Sequence, residues 1–185
     1  MPTITFGVLY CFFVISHDRR RILHFNITKH PTSSWITQQL RKAFPFETAP
    51  RFLIYDRDAK YATEGPAAIR SLKINGARTS FASPWQNAVV ERWVGSCGSE
   101  LLDHVIVLNE RHLKRLLSEY VSYYHEDRTH LGLEKGTPGR RTRCETFGSV
   151  LCHDRVGGLH HRYDRADNPK TENLILIYIY MCVCL

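Results

Sequence analysis

Four consecutive apolar residues, Phe52-Leu53-Ile54-Tyr55, run straight into Asp56-Arg57-Asp58. The apolar run predicts a buried strand, which commits the chain to layers that cover it. The carboxylates at its tip then need an explanation. Either they close the strand as a polar turn, or they offer hard oxygen ligands to a cation.

The flanking segments identify the layers. Thr3 to Ser16 is rich in Ile, Val, Phe and Tyr and predicts a strand. His17-Asp18-Arg19-Arg20 is a polar turn, and Arg21 to Thr28 returns as the second strand of an antiparallel hairpin. Hydroxyls at Thr32-Ser33-Ser34 suit a helix N-cap, and Trp35, Ile36, Leu40, Ala43 and Phe44 follow at helical spacing. A short helix fits Glu64 to Lys73, with Pro66 in its first turn. Asn75-Gly76 predicts a turn, Arg78 to Phe81 a short strand, and "SPWQN" at 83–87 a loop.

Two longer helices are predicted next. The first carries Val90, Trp93, Val94, Cys97 and Leu101 as its apolar stripe; the second, capped by Asn109, carries Leu113, Leu116, Leu117, Tyr120 and Tyr124. Beyond Thr129 the chain is polar and Gly-rich, with Arg140-Arg141-Thr142-Arg143 as a basic cluster. The order of elements predicts an α/β fold with some antiparallel pairing.

A chain of 185 residues is long enough for one domain with a core of its own. Its 25 Lys and Arg against 18 Asp and Glu give a net charge of +7, which favours a polyanionic partner, nucleic acid first. The six cysteines at 11, 97, 144, 152, 182 and 184 include no Cys-x-x-Cys and no paired Cys/His spacing. They predict reduced thiols in a cytoplasmic protein without a zinc site. The apolar stretches Val8 to Ser16 and Leu174 to Leu185 fall short of the roughly 20 residues a membrane helix needs, so no membrane partner is expected.

Asp56 and Glu91, with 34 residues between them, either stand apart as a turn carboxylate and a solvated helix residue or meet as an acidic pair. On its helix Glu91 shares a face with Ala88 and Gly95, away from the apolar stripe. Two like charges side by side repel unless a cation lies between them. Hard carboxylate oxygens in small number suit Mg²⁺, which bridges to phosphate.

With "YDRDAKY" at 55–61 and "SPWQNAVVERW" at 83–93, this spacing resembles the integrase catalytic core of bacterial insertion-sequence transposases, of the DDE type shared with retroviral integrases. "YYHEDRTHLGLEKGTP" at 123–138 is similar to the segment after the last catalytic helix in such transposases, and "GGLHHRY" at 157–163 to their final residues.

The resemblance implies a ribonuclease H-like mixed sheet flanked by helices. It implies DNA integration or transposition by metal-dependent strand transfer, with Mg²⁺ or Mn²⁺ held by Asp56 and Glu91 as catalytic residues. Gln86 and Asn87 are then expected near a DNA end, and Arg92, Lys114 and Arg115 along a DNA track. The implied partners are transposon ends and target DNA, with a second copy or a full-length transposase. A nucleoid-associated cytoplasmic location follows.

The chain also departs from that pattern. The family has three carboxylates, the first on an opening strand that would precede Thr3, and Asp18 sits in a hairpin turn instead. The expectation is therefore an N-terminally truncated core lacking its first strand and first Asp, holding metal loosely and inactive alone. Three regions are expected: a partial core at 1–138, a basic Gly-rich extension at 139–169, and an apolar tail at 170–185 with no assigned role. The alternative is a non-catalytic DNA-binding remnant that interferes with a transposase.

Plain structural readings stand beside several of these assignments. Arg92, Lys114 and Arg115 also fit a solvated helix face, and Arg140 to Arg143 a disordered linker. Trp85 fits a packing role or a base-stacking one. His160-His161 reads as a polar turn rather than a metal ligand.

Overall fold

The structure is a computed structural model that describes residues 1, 3–4, 7–45, 49–56, 65–81, 83–141 and 148–166. Its elements follow the order β1 (Tyr10–Ile15), β2 (Ile22–Thr28), α1 (Ser33–Ala43), β3 (Phe52–Tyr55), α2 (Gly65–Ser71), β4 (Asn75–Arg78), α3 (Ala88–Glu100), α4 (Glu110–Glu126), β5 (Val150–Arg155) and β6 (His160–Arg165).

β1 and β2 pair antiparallel, with a register shift between Val14 and Ile15. β3 and β4 pair in parallel, Phe52 opposite Asn75 and Tyr55 opposite Arg78. Among the described residues these are separate two-stranded sheets that share no ladder.

Alternation along β1 explains the layering. Phe12 and Val14 join a core cluster with Ile36, Leu40 and Phe44 of α1 and with Ala68 and Ile69 of α2. Phe13 and Ile15 point the other way, onto a second cluster built from α3 and α4. A strand with helices on both faces must be apolar at successive positions, and Phe12 to Ile15 are. Leu53 and Tyr55 of β3 pack on the α1–α2 cluster.

Trp93 centres the second cluster. Its ring lies 6.1 Å from Phe13, 5.5 Å from Tyr120 and 4.7 Å, edge-on, from Tyr124. Cys97 sits beside it, and burial pushes that thiol up to about 12.

α4 also covers the open edge of β2. Ile22 N–H donates to His125 Nε2 at 2.8 Å, Lys29 N–H donates to Glu110 Oε1 at 2.9 Å, and Lys114 reaches Asn26 Oδ1 at 3.4 Å. Glu110 meets the end of β2 and His125 its start, so α4 runs antiparallel to the strand. Side chains thus satisfy backbone donors that an edge strand would leave to water or to another chain.

The helix caps form as the sequence predicts. Thr32 accepts from Trp35 N–H at 3.2 Å, and Asn109 from His112 N–H at 2.9 Å.

Several expectations need correction. The first strand begins at Tyr10, not Thr3. Met1 and Leu9 exchange backbone hydrogen bonds of 2.9 and 2.8 Å, and Ile4 N–H donates to Val107, so the opening residues fold back instead of extending the strand. Asn75-Gly76 opens β4 rather than making a turn; the turn falls earlier, where Lys73 takes a positive φ of 58°. Val94 is 48% exposed, outside the stripe assigned to it.

The polar, Gly-rich region also contains an unpredicted hairpin. β5 and β6 pair antiparallel from Val150 opposite Arg165 to Arg155 opposite His160. His160-His161 therefore belong to a strand, and the turn lies at Val156–Gly158, where Gly157 (φ 64°) and Gly158 (φ 91°) supply left-handed backbone.

The Trp93 and Val94 environments lead to contrasting expectations. Trp93→Ala lowers unfolding free energy by about 3–5 kcal/mol in a urea titration, whereas Val94→Ala costs under about 1 kcal/mol. Gly98 faces open space on α3, so Gly98→Ala raises stability by roughly 0.5–1 kcal/mol in the same measurement.

Candidate active site

Asp56 follows the last residue of β3 and is exposed. The parallel register sets Tyr55 opposite Arg78, so the chain leaves β4 beside the tip of β3. Thr79 N–H donates to Tyr55 O at 3.1 Å and extends the pairing by one step. Thr79 Oγ1 then donates to Asp56 Oδ1 at 3.2 Å. The Asp56 carboxylate is therefore oriented from the neighbouring strand.

The next link in the chain is Gln86. Its Oε1 accepts from Ser80 N–H at 2.7 Å, and its Nε2 lies 3.3 Å from Ser80 Oγ. Gln86 N–H donates to Ser83 O at 3.1 Å. A 3₁₀ turn at Pro84–Asn87 leads directly into α3. The loop from the tip of β4 to the start of α3 is thus closed on itself by one side chain.

Glu91 lies in the first turn of α3, where the helix dipole favours a carboxylate. Glu91, Ala88 and Gly95 are exposed, and a Cβ added at Gly95 would meet nothing within 4 Å. This face of α3 is open to solvent while Trp93 and Cys97 are buried on the other.

The predicted residues thus divide into groups. Asp56 is hydrogen-bonded to Thr79 and Gln86 to Ser80, the next residue along the chain, and Asn87 and Glu91 follow on the same segment. Arg92 is exposed beside Glu91. Lys114 belongs to the α4 cover of the β2 edge, and Arg115 is exposed on α4. Trp85 is 71% exposed, which removes the packing reading. Asp58 lies outside the described residues.

Asp18 sits in the β1–β2 turn, where its carboxylate accepts from Ser16 Oγ and is held below the usual range by that hydrogen bond. The same turn is anchored elsewhere: Arg19 donates to Thr137 O at 2.7 Å and to Pro138 O at 3.2 Å.

A second polar cluster holds α3 in place from its far end. Arg128 Nη2 donates to Glu100 Oε1 at 2.6 Å, and Arg128 Nε to Glu100 Oε2 at 2.8 Å. Tyr120 Oη donates to Glu100 Oε2 at 2.9 Å, and Arg128 Nη2 to Ser96 Oγ at 3.2 Å. Burial raises the Glu100 carboxyl, but the hydrogen bonds from Arg128 and Tyr120 outweigh it and hold the carboxyl below its ordinary value. Burial and the Glu100 charge raise Tyr120.

Arg128 Nη1 lies 3.2 Å from His130 Nδ1. Burial, then the charges of Arg128 and Arg20, lower His130 to about 4. His130 is therefore neutral near pH 7. Arg128 thus has a structural role: with Glu100 it makes a bidentate pair that fixes the end of the Glu91 helix, and His130 lies against it.

Sequence reasoning missed Thr79 and Glu100. Thr79 acquires its role only from the β3–β4 register, which no local pattern encodes. Glu100 reads as an ordinary solvated residue until Arg128 is folded against it.

The comparisons with known proteins bear on this arrangement. Residues 72–138, from β4 through the Arg128–His130 segment, match the family described as integrase core domain. A chain from the cryo-EM structure of the simian T-cell lymphotropic virus intasome in complex with PP2A regulatory subunit B56 gamma shares the fold, with a TM-score of 0.61. The fold is that of an integrase catalytic core. Identity to the intasome chain is 16%, over 90% of the present chain, and the match spans 63% of the length of the intasome chain. No curated protein matches. Among the described residues, no helix of this integrase-like core is long and apolar enough to cross a membrane.

The cluster at His130 makes stability depend on pH. Its folded value lies below the ordinary 6.5, so the unfolded chain binds the extra proton between about pH 6.5 and 4. His125, lowered by burial, acts in the same direction. Stability is complete above pH 6.5 and falls as pH drops towards 4. Chemical denaturation across that window checks this: His130→Gln flattens the slope, and an equally steep slope in that variant contradicts it.

Proposed function

We propose that this chain is a DNA-integration core of the transposase type, with Asp56 and Glu91 as the metal-holding carboxylates. The observation that carries the reading is that Asp56 is hydrogen-bonded to Thr79, and that the chain from Thr79 runs on through the Ser80–Gln86 hydrogen bond into the Glu91 helix. Both carboxylates are exposed, and carboxylate oxygens are the donors that Mg²⁺ and Mn²⁺ prefer. The donor set therefore fits a hard divalent cation. Such a cation, when bound, neutralises charge at a DNA phosphate and activates an attacking hydroxyl.

The chain's own residues do the positioning. Thr79 orients the Asp56 carboxylate. Gln86 holds the loop that leads into α3, and Asn87 stands at the helix start. Glu91 projects from the open face of α3, and the Arg128–Glu100 pair fixes the same helix. Arg92 and Arg115, exposed and cationic, attract the phosphate backbone, and the net charge of +7 adds to that attraction at long range. Lys114 contributes charge while it covers the β2 edge.

The chain is inactive in strand transfer by itself. Asp18, the other early carboxylate, is committed to the β1–β2 turn, so among the described residues the site draws on Asp56 and Glu91, two carboxylates where the reaction type uses three. A second reading, a non-catalytic DNA-binding protein that joins and impedes an intact transposase, is favoured by the same shortage of carboxylates.

Purified chain with duplex DNA and Mn²⁺ tests the proposal. Expected are DNA binding that weakens steeply with salt and no strand transfer. Mn²⁺ binding, followed by loss of the free-ion electron paramagnetic resonance signal, drops about tenfold or more in Asp56→Asn and in Glu91→Gln. Strand transfer by the chain alone that persists in Asp56→Asn overturns the reading. So does a failure to bind DNA at low salt.

A further inference from the structure

The β5–β6 hairpin has two chemically different faces. His153, Arg155, His160, Arg162 and Asp164 face the helices. Arg155 Nε donates to Asp127 Oδ2 at 2.7 Å, and Arg162 Nε lies 3.6 Å from Asp127 Oδ1. His160 Nε2 lies 2.9 Å from Glu100 O, and its ring stacks on Tyr123 at 4.4 Å and 6°. Arg141, from the basic cluster, joins Asp127 and Asp164. The inner face is therefore consumed in holding the hairpin against α4.

The outer face has no such work. Cys152 and Asp154 are two apart on β5 and so share a face, and the register sets His161 of β6 opposite Asp154. All three residues are exposed. One ligand atom from each lies within 4.8 Å of the other two. His161 Nε2 is 3.2 Å from Asp154 Oδ1.

From this geometry we propose that Cys152, Asp154 and His161 form a second metal site, one for a borderline transition-metal ion of the Zn²⁺ class. The donor chemistry decides the class. A thiolate and an imidazole with one carboxylate suit Zn²⁺ or Co²⁺, whereas Mg²⁺ and Mn²⁺ favour oxygen alone. The spacing fits as well. Tetrahedral bonds of about 2.0 Å to nitrogen and oxygen and about 2.3 Å to sulfur imply roughly 3.3 Å between N and O and roughly 3.6 Å between S and N. The His161–Asp154 separation already meets the first value. An exposed Cys152 closes the remaining distance by rotating its side chain.

Two neighbouring strands hold the ligands, and the buried ion pairs on the inner face keep those strands in register. Three protein ligands leave the fourth position to water or to a group from a partner, as in an open site. A thiol binds a metal as thiolate and releases its proton, so affinity at a site with a cysteine ligand rises with pH. The site is separate from Asp56 and Glu91, and its existence does not depend on their function.

The test uses the full chain under reducing conditions, titrated with Co²⁺ and followed by absorption. One equivalent produces a thiolate-to-cobalt charge-transfer band, which Zn²⁺ then bleaches. Cys152→Ser abolishes the band, and His161→Gln, altered on the other strand, weakens Co²⁺ binding at least about tenfold. Both variants change exposed side chains, and unchanged far-ultraviolet circular dichroism verifies their fold. A band that survives in Cys152→Ser, or no band at all in the unaltered chain, overturns the proposal.

Discussion

The packing of Trp93 between β1 and α4 is the interaction on which the rest of the structure depends. Its indole touches Phe13 on one side and Tyr120 and Tyr124 on the other, and so joins the strand layer to the helix layer. Glu91 lies two residues before Trp93 on the same helix. The direction in which that carboxylate points is therefore set by an aromatic contact on the opposite face. Aromatic rings bury a large area and prefer edge-on geometry, which restricts helix rotation more than aliphatic contacts do.

A polar anchor complements the aromatic one. The Glu100–Arg128 pair secures the C-terminal end of α3 and is itself braced by Tyr120, which also packs on Trp93. One tyrosine thus serves both networks. Half-buried charge pairs of this kind contribute modest net stability, but they penalise alternatives that leave one charge unpaired. The chain here spends its charges on fixing orientation.

Much of this was legible in the sequence because it rests on local periodicity. The stripe Leu113, Leu117, Tyr120 and Tyr124 predicts both the extent of α4 and its buried face, and Thr32 and Asn109 mark helix starts by a hydrogen bond made within three residues. The apolar run at 52–55 is a strand but not the buried one it reads as: Phe52 is 60% and Ile54 50% exposed, and Leu53 and Tyr55 alone of the four pack inward. The expectations that failed involve longer-range relations. Asn75-Gly76 carries a turn signal, yet the parallel pairing with Phe52 and Leu53 makes it strand.

The β5–β6 hairpin was hidden because its residues, His, Arg, Asp and Cys, lack strand propensity. Its strands are held to the helices by ion pairs from Arg155 and Arg162 to Asp127, distant in sequence. Thr79 was invisible as a partner of Asp56 for a similar reason: its role follows from register, and register is a property of two segments together. The positions of Asp56 and Glu91, each at an element boundary, followed from local pattern alone.

The separation of the β1–β2 ladder from the β3–β4 ladder has a dynamic consequence. Among the described residues no ladder joins β1 to β3, and the side chains of α1 and α2 pack between them. The α3–α4 half owns the aromatic centre and the ion-pair network, while the β3–β4 half owns a four-residue ladder. Sub-global opening then divides along that seam, with the Asp56 half as the weaker foldon. Under the proposed function, a carboxylate mounted on the weaker foldon has its position completed by the cation it holds, so binding would rigidify that half of the molecule.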